Sequence, residues 1–326
     1  MEIALLFLAA HWGLVAWLPL PLILVWLFMD SARPLHPWPA LRAHGAWRAT
    51  LGAVHRHTVV PAPGVSPGWL SAAPGAPGRK PRLWVVYPHG QLALSALLTF
   101  AVDGAAGGGH GWAHAGGSGG AHVRLAVHAF LVRMPWTRRV AAWLGLVGDD
   151  LATLRHQLLE HRRDVAVVAE GVDAQGIDGA AAPVRPAAGY LRLLASLGAT
   201  LGTPAAPFDV VPVLALGERD ACTVLGHGPG RLHALAAAAL RPVQAWTRRA
   251  WGYPFPSPYA WPAWGRPLAR LTTVVGPPLA APWRDAGAAP GPDVWAAWLG
   301  GALQERYAAA AAGTAPARRN NDAWGT

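Results

Sequence analysis

Cysteine is all but missing from this chain. Cys222 is the only one in 326 residues, which excludes an internal disulfide and suits a protein facing the cytosol. Charge is also scarce, at 13% of residues, beside an apolar fraction of 53%. The chain therefore has ample material for a core, as one large domain or two small ones. Acidic charge is scarcest: 17 Asp and Glu stand against 27 Lys and Arg, a formal net charge of +10. That surplus fits nucleic acid, an anionic membrane face or a polyanionic substrate such as coenzyme A. Phe and Tyr are few, but there are 18 Trp. Trp favours lipid–water boundaries, where one end of the ring is apolar and the other wet. The expected partner is therefore a membrane, and no nucleic acid is expected.

Residues 3–29 form a nearly continuous apolar run with no charged residue. Its length could span a bilayer, for which about 20 residues suffice. Pro19 and Pro21 divide it, so it reads equally as one tilted helix or as a re-entrant hairpin. The only early charge is Glu2, and no small-x-small cleavage site follows. A secretory signal is thus disfavoured, and 1–30 is assigned as a membrane anchor. Residues 31–81 are rich in Pro, Gly, Trp and basic residues. Within them, 41–57 with Trp47 suits one basic helix on an anionic surface, and 61–81 reads as a proline-rich linker. The folded domain is expected over 82–312 and a polar tail over 313–326.

The chain is organised around LWVVYPHGQLALSALLTF, residues 83–100. Leu83 to Tyr87 has the aromatic and β-branched character of a buried strand. Pro88-His89-Gly90 interrupts it, and the apolar run after Gln91 reads as a buried helix. One histidine therefore stands at a strand-to-helix turn, beside N–H groups with no partner inside the helix. Such a pair can take a proton from an alcohol and hold the oxyanion that follows.

Further on, 103–121 is a Gly-rich insertion, read as a flexible loop. His110, His114 and His122 lie in or beside it, but no Cys or carboxylate stands at ligand spacing, so no metal is expected. Strands are expected at 123–128, 165–169, 208–216 and 271–275. Helices are expected at 134–147, after a cap at Asp149 or Asp150, at 188–197, 231–251 and 294–312. The strand at 165–169 is followed by Glu170-Gly171 and the strand at 208–216 by Gly217-Glu218. Functional groups at the carboxyl ends of strands are where open α/β sheets bind ligands. Strands alternating with helices predict an α/β fold with a mostly parallel sheet and flanking helices, behind the N-terminal anchor. A loop at 254–267, rich in Trp, Pro and Tyr, reads as a lip at the membrane interface.

Taken in order, these blocks resemble the type-2 diacylglycerol acyltransferase family, with its monoacylglycerol and wax-alcohol acyltransferases, within the glycerolipid acyltransferase superfamily. Tyr87-Pro88-His89-Gly90 is similar to the family's His-Pro-His-Gly block. MPWTRRVAAWLGLVG, residues 134–148, resembles its Pro-led helix ending in Leu-Gly. Residues 165–171 occupy the place of its strand before Gly-Gly-x-x-Glu. VPVLALGE, residues 211–218, resembles its Val-Pro-x-x-x-Phe-Gly-Glu strand, and RPLARLTTVVGPP, residues 266–278, its Arg-Pro-x-Thr-Thr-Val-Val-Gly-x-Pro block.

The resemblance implies a glycerolipid-acyltransferase-like fold and a membrane O-acyltransferase. His89 would be the base, Gly90 would supply the oxyanion donor, and Glu170 would orient the imidazole or the acceptor. Pro88, Gln91, Gly171 and Glu218 would line the substrate site. Acyl-CoA would be co-substrate with no further cofactor, and a neutral lipid alcohol, diacylglycerol first, would be the acceptor. Wax alcohol, monoacylglycerol or an inactive lipid-binding relative are the alternatives, and a homo-oligomer is left open. In a eukaryote the site would be the endoplasmic reticulum membrane, with the domain facing the cytosol, or a lipid droplet.

Two departures bear on the acceptor. Glu170 stands where the family has Gly and resembles the Glu-Gly of phosphate-using relatives. Those relatives carry an Asp five residues after the histidine, where this chain has Leu94. The family's Phe-Leu-x-Leu block is absent from the N-terminal segment.

Overall fold

The computed structural model describes residues 56–66, 69, 78–88, 93–101, 123–133, 135–169, 196, 207–218, 223–224, 231–251, 259–260, 270–279 and 292–319. The expected anchor 1–30, most of the segment 31–81 and the insertion 103–121 lie outside them. So do the expected helix at 188–197, apart from Ser196, and the lip at 254–267, apart from Tyr259 and Ala260. Among the described residues no helix is long and apolar enough to cross a membrane.

A seven-stranded sheet forms the centre, in the order β1-β9-β6-β2-β5-β3-β4. Its strands are β1 (Arg56–Pro61), β2 (Arg82–Tyr87), β3 (Arg124–Val127), β4 (Val147–Gly148), β5 (Val165–Val168), β6 (Asp209–Leu216) and β9 (Arg270–Val275). β7 (Thr223–Val224) and β8 (Tyr259–Ala260) pair separately. β6, β2, β5, β3 and β4 run parallel, whereas β9 pairs antiparallel with β6, and β1 runs parallel to β9. The α/β, mostly parallel architecture expected from the sequence is present.

β2 is buried at every position, as a central parallel strand covered on both faces must be. Its alternate side chains enter two cores. Leu83, Val85 and Tyr87 pack with Leu154, Leu158, Leu299 and Leu303. Trp84 and Val86 pack with Ala96, Phe100, Leu144 and Val213. The helices that supply these contacts are α1 (Leu94–Ala96, continued as a π-turn over Leu97–Ala101), α4 (Leu151–Arg155, continued as a π-turn over His156–Glu160) and α6 (Pro292–Arg319), while α2 (Ala129–Arg133) and α3 (Pro135–Trp143) connect β3 to β4. α5 (Arg231–Trp251) is peripheral, with most of its described side chains exposed.

Three expectations need correction. The helix expected over 41–57 does not extend to its end, because Arg56 and His57 open strand β1. His57 and Val59 are buried while Thr58 and Val60 are exposed, which is a strand period of two, and the β-branched residues favour it. The sheet therefore takes in residues well ahead of the expected domain start at 82. The helix expected over 134–147 is the shorter α3, Pro135–Trp143, closed by Gly145 at φ +73° ahead of β4, and α2 precedes it. Gly is the residue suited to that left-handed position. The last helix runs to Arg319, into the expected polar tail, since its Ala-rich stretch has high helix propensity.

Candidate functional site

Sheet polarity gathers the candidate residues at one edge. The carboxyl ends of β2, β5 and β6 lie side by side, with Tyr87↔Leu214 and Val86↔Val168 in register. Pro88 leaves β2 buried. His89, Gly90 and Gln91 follow it in the chain and lie outside the described residues, as do Glu170 and Gly171 directly after Ala169. What is described is the frame around them: Ala169 N donates to Val86 O at 3.0 Å, and helix α1 resumes the chain after Ala93.

Besides Pro88, Glu218 is the expected site residue whose side chain is described. β6 delivers it through Gly217, which has φ +80°, and a Cβ there would lie 2.2 Å from the Arg270 carbonyl oxygen. Only glycine can make that turn against the first residue of β9. The Glu218 carboxyl is 3% exposed. Ser95 N donates to it at 2.9 Å (Oε2) and 3.2 Å (Oε1), and the Ser95 hydroxyl donates to Oε2 as well. Glu218 thus caps α1, the helix that follows Pro88-His89-Gly90 in the chain. It couples the end of β6 to the segment that carries the histidine.

Burial raises the Glu218 carboxyl to about 7, against the pull of the donors from Ser95 and Leu94. No cation answers it among its described partners, so removal from water disfavours the charged form. A carboxyl poised near neutrality can hold or release a proton under working conditions.

One helical turn on, Thr99 faces a second buried polar group. His57 Nε2 lies 2.9 Å from Thr273 Oγ1 and 3.5 Å from Thr99 Oγ1. Burial lowers His57 to about 4, so its ring is neutral near pH 7. Ser95 and Thr99, four residues apart, form a polar stripe on an otherwise apolar helix. They link the ends of β6, β1 and β9. Ser95, Thr99, His57 and Thr273 were not singled out from the sequence. The signal was present, because two hydroxyls four apart in a helix read as buried require polar partners.

The remaining carboxylates of this edge serve helix entry. Asp150 Oδ1 accepts from Thr153 N at 2.9 Å and caps α4, while Asp149 Oδ1 accepts from Ala129 N at 3.2 Å at the start of α2. Among the described residues no group of three His, Cys, Asp or Glu is placed to hold a metal ion. Arg56 and Arg270 begin adjacent strands at this edge in register, and Arg270 is exposed.

No family model, curated protein or solved structure matches this chain.

Proposed function

We propose that this chain is a membrane-bound O-acyltransferase that moves a fatty acyl group from acyl-CoA to the hydroxyl of a neutral lipid, with diacylglycerol as the first acceptor to test. The observation that carries the reading is Glu218: a buried carboxyl, raised to about 7, tied to the helix that follows the Tyr87-Pro88-His89-Gly90 turn. The blocks in the sequence support the same reading. They place His89, Glu170 and Glu218 after three strands whose carboxyl ends are neighbours. The basic surplus and the Arg56–Arg270 edge suit the phosphates of coenzyme A.

In the proposed reaction, neutral His89 takes the proton of the lipid hydroxyl as its oxygen attacks the thioester carbonyl. Backbone N–H groups near Gly90 and Gln91 hold the tetrahedral oxyanion. The C–S bond then breaks, and coenzyme A leaves as a thiol with the proton returned by the imidazolium. No covalent enzyme intermediate is needed, and Cys222 has no part. Glu170 orients the imidazole or accepts from the acceptor hydroxyl. Glu218, whose bonds go to Ser95, is a positioning residue for the His89 turn rather than a contact to substrate. A phosphate-bearing acceptor is disfavoured, because Glu170-Gly171 is followed by no cation before Arg185. Burying phosphate without a paired cation is costly.

Membranes carrying the full chain, given labelled acyl-CoA and a panel of diacylglycerol, monoacylglycerol, long-chain alcohol, glycerol 3-phosphate and lysophosphatidate, test the reading. Acylation of a neutral alcohol is expected, with loss of roughly 10²-fold or more in His89→Ala. Undiminished turnover in that variant would end the mechanism. Faster use of a phosphate acceptor would move the chain to the phosphate-using branch. No transfer to any acceptor would favour a lipid-binding protein.

A further inference from the structure

Helix α5 (Arg231–Trp251) turns its apolar stripe away from the sheet. Leu235, Ala239, Pro242, Val243 and Trp246 recur at helical spacing, and all are exposed. Leu235 is 65% exposed, Val243 46% and Trp246 59%. The side toward the fold is carried instead by Thr247, which is buried, and by half-buried Leu240 and Gln244. A surface helix ordinarily turns its apolar stripe inward and its polar face to water. Exposed Arg249 borders the stripe, with exposed Arg241 and Arg248 further round the helix, and no Asp or Glu occurs between residues 231 and 251.

We propose that α5 is a membrane-docking helix that lies along the surface of an anionic bilayer. Leu235, Val243 and Trp246 enter the boundary between headgroups and acyl chains, and Arg249 beside them meets the lipid phosphates. Charge decides the occupant. A second copy of this helix would bring arginines against arginines, and a neutral apolar groove would answer the stripe without answering the cations. An anionic lipid surface supplies both halves, and it is the surface that basic amphipathic helices bearing Trp and Leu bind. The proposal is independent of acyl transfer, since a catalytically inactive chain would dock by the same helix.

The test uses the full chain with Cys222→Ser and Val243→Cys, spin-labelled at position 243 and reconstituted into phosphatidylcholine vesicles with and without phosphatidylglycerol. With the anionic lipid, the label is expected about 5–10 Å into the headgroup–acyl boundary. It is then shielded from a water-soluble relaxant and open to oxygen. Replacing Arg249 by Gln is expected to return it toward water, by about fivefold in partition. Three results would each overturn the proposal. The first is a label open to the aqueous relaxant in both vesicles. The second is a label equally immersed without anionic lipid. The third is a label shielded from both relaxants, which would show that protein covers the stripe.

Discussion

Two buried carboxylates stand at opposite edges of the same sheet and are held in opposite ways. Asp164, just ahead of β5 at the amino edge, is 2% exposed and meets cations. Arg79 Nη2 lies 2.5 Å from its Oδ2, and Arg82 N donates to Oδ1 at 3.0 Å. The Arg82 guanidinium itself lies 3.9 Å from the Trp69 ring centroid and donates to the Trp69 carbonyl. Burial, with Arg79 beside it, lowers Arg82 to about 10, so it keeps its charge at neutral pH. Glu218, at the carboxyl edge, is as deeply buried, but its described partners are neutral donors from α1. The first arrangement fastens strand starts with fixed charge. The second leaves a carboxyl able to change its protonation state near neutrality, which is the property a site can use.

The contrast can be broken most severely at the amino edge. Asp164→Ala would leave Arg79 without its carboxylate and Arg82 N without its acceptor. A loss of about 3–5 kcal/mol is expected, as for breaking a buried pair on one side, read by urea unfolding at neutral pH. A loss below ~1 kcal/mol would mean that the pair contributes little to the fold.

The carboxyl edge sharpens the comparison through pH. The Glu218 carboxyl titrates near 4.5 when unfolded and near 7 when folded. A raised folded value means that its contribution to stability is complete below about 4.5 and is lost as pH rises through about 7. Glu218→Gln cannot ionise and lacks that loss. Its stability relative to the parent should therefore rise by about 3 kcal/mol between acid and mildly alkaline pH. Urea midpoints at pH 5 and pH 8 provide the check. A difference that does not change with pH would show that Glu218 ionises as readily folded as unfolded.

The smallest effect belongs to Ser95→Ala. It removes the hydroxyl donor and leaves the backbone N–H, so a cost of about 1 kcal/mol is expected. The Glu218 titration should also move further up, because a donor to the charged form is gone. Thermal unfolding measures the first effect, and the pH dependence of stability measures the second. An unmoved titration would mean that the hydroxyl does not favour the charged form.

Much of the fold was legible because buried parallel strands read as short apolar runs. Four expected strands, 123–128, 165–169, 208–216 and 271–275, match β3, β5, β6 and β9 to within a residue or two. The expected 231–251 helix matches α5 at both ends. β1 was hidden because His57 and Thr58 interrupt its hydrophobicity, and the partners of both side chains lie 214 to 216 residues away. The two-residue β4 carries too little pattern to register. At the site, Glu218 was legible from its position after a strand. Its bond to Ser95 was not, because a contact across 123 residues leaves no trace in local periodicity. His89, Gly90, Gln91, Glu170 and Gly171 rest on the sequence reading.

The reversed direction of β1 settles where the front of the chain is attached. β1 runs parallel to β9 and so opposite to β6 and β2. The amino end of β1, at Arg56, therefore lies at the rim that carries Pro88 and Glu218. A bilayer-inserted segment ahead of residue 31 would hold that rim on a leash. The leash is residues 31–55, which reach at most about 85 Å when fully extended. Strand polarity thus puts the attachment point of any such tether on the same rim as Glu218.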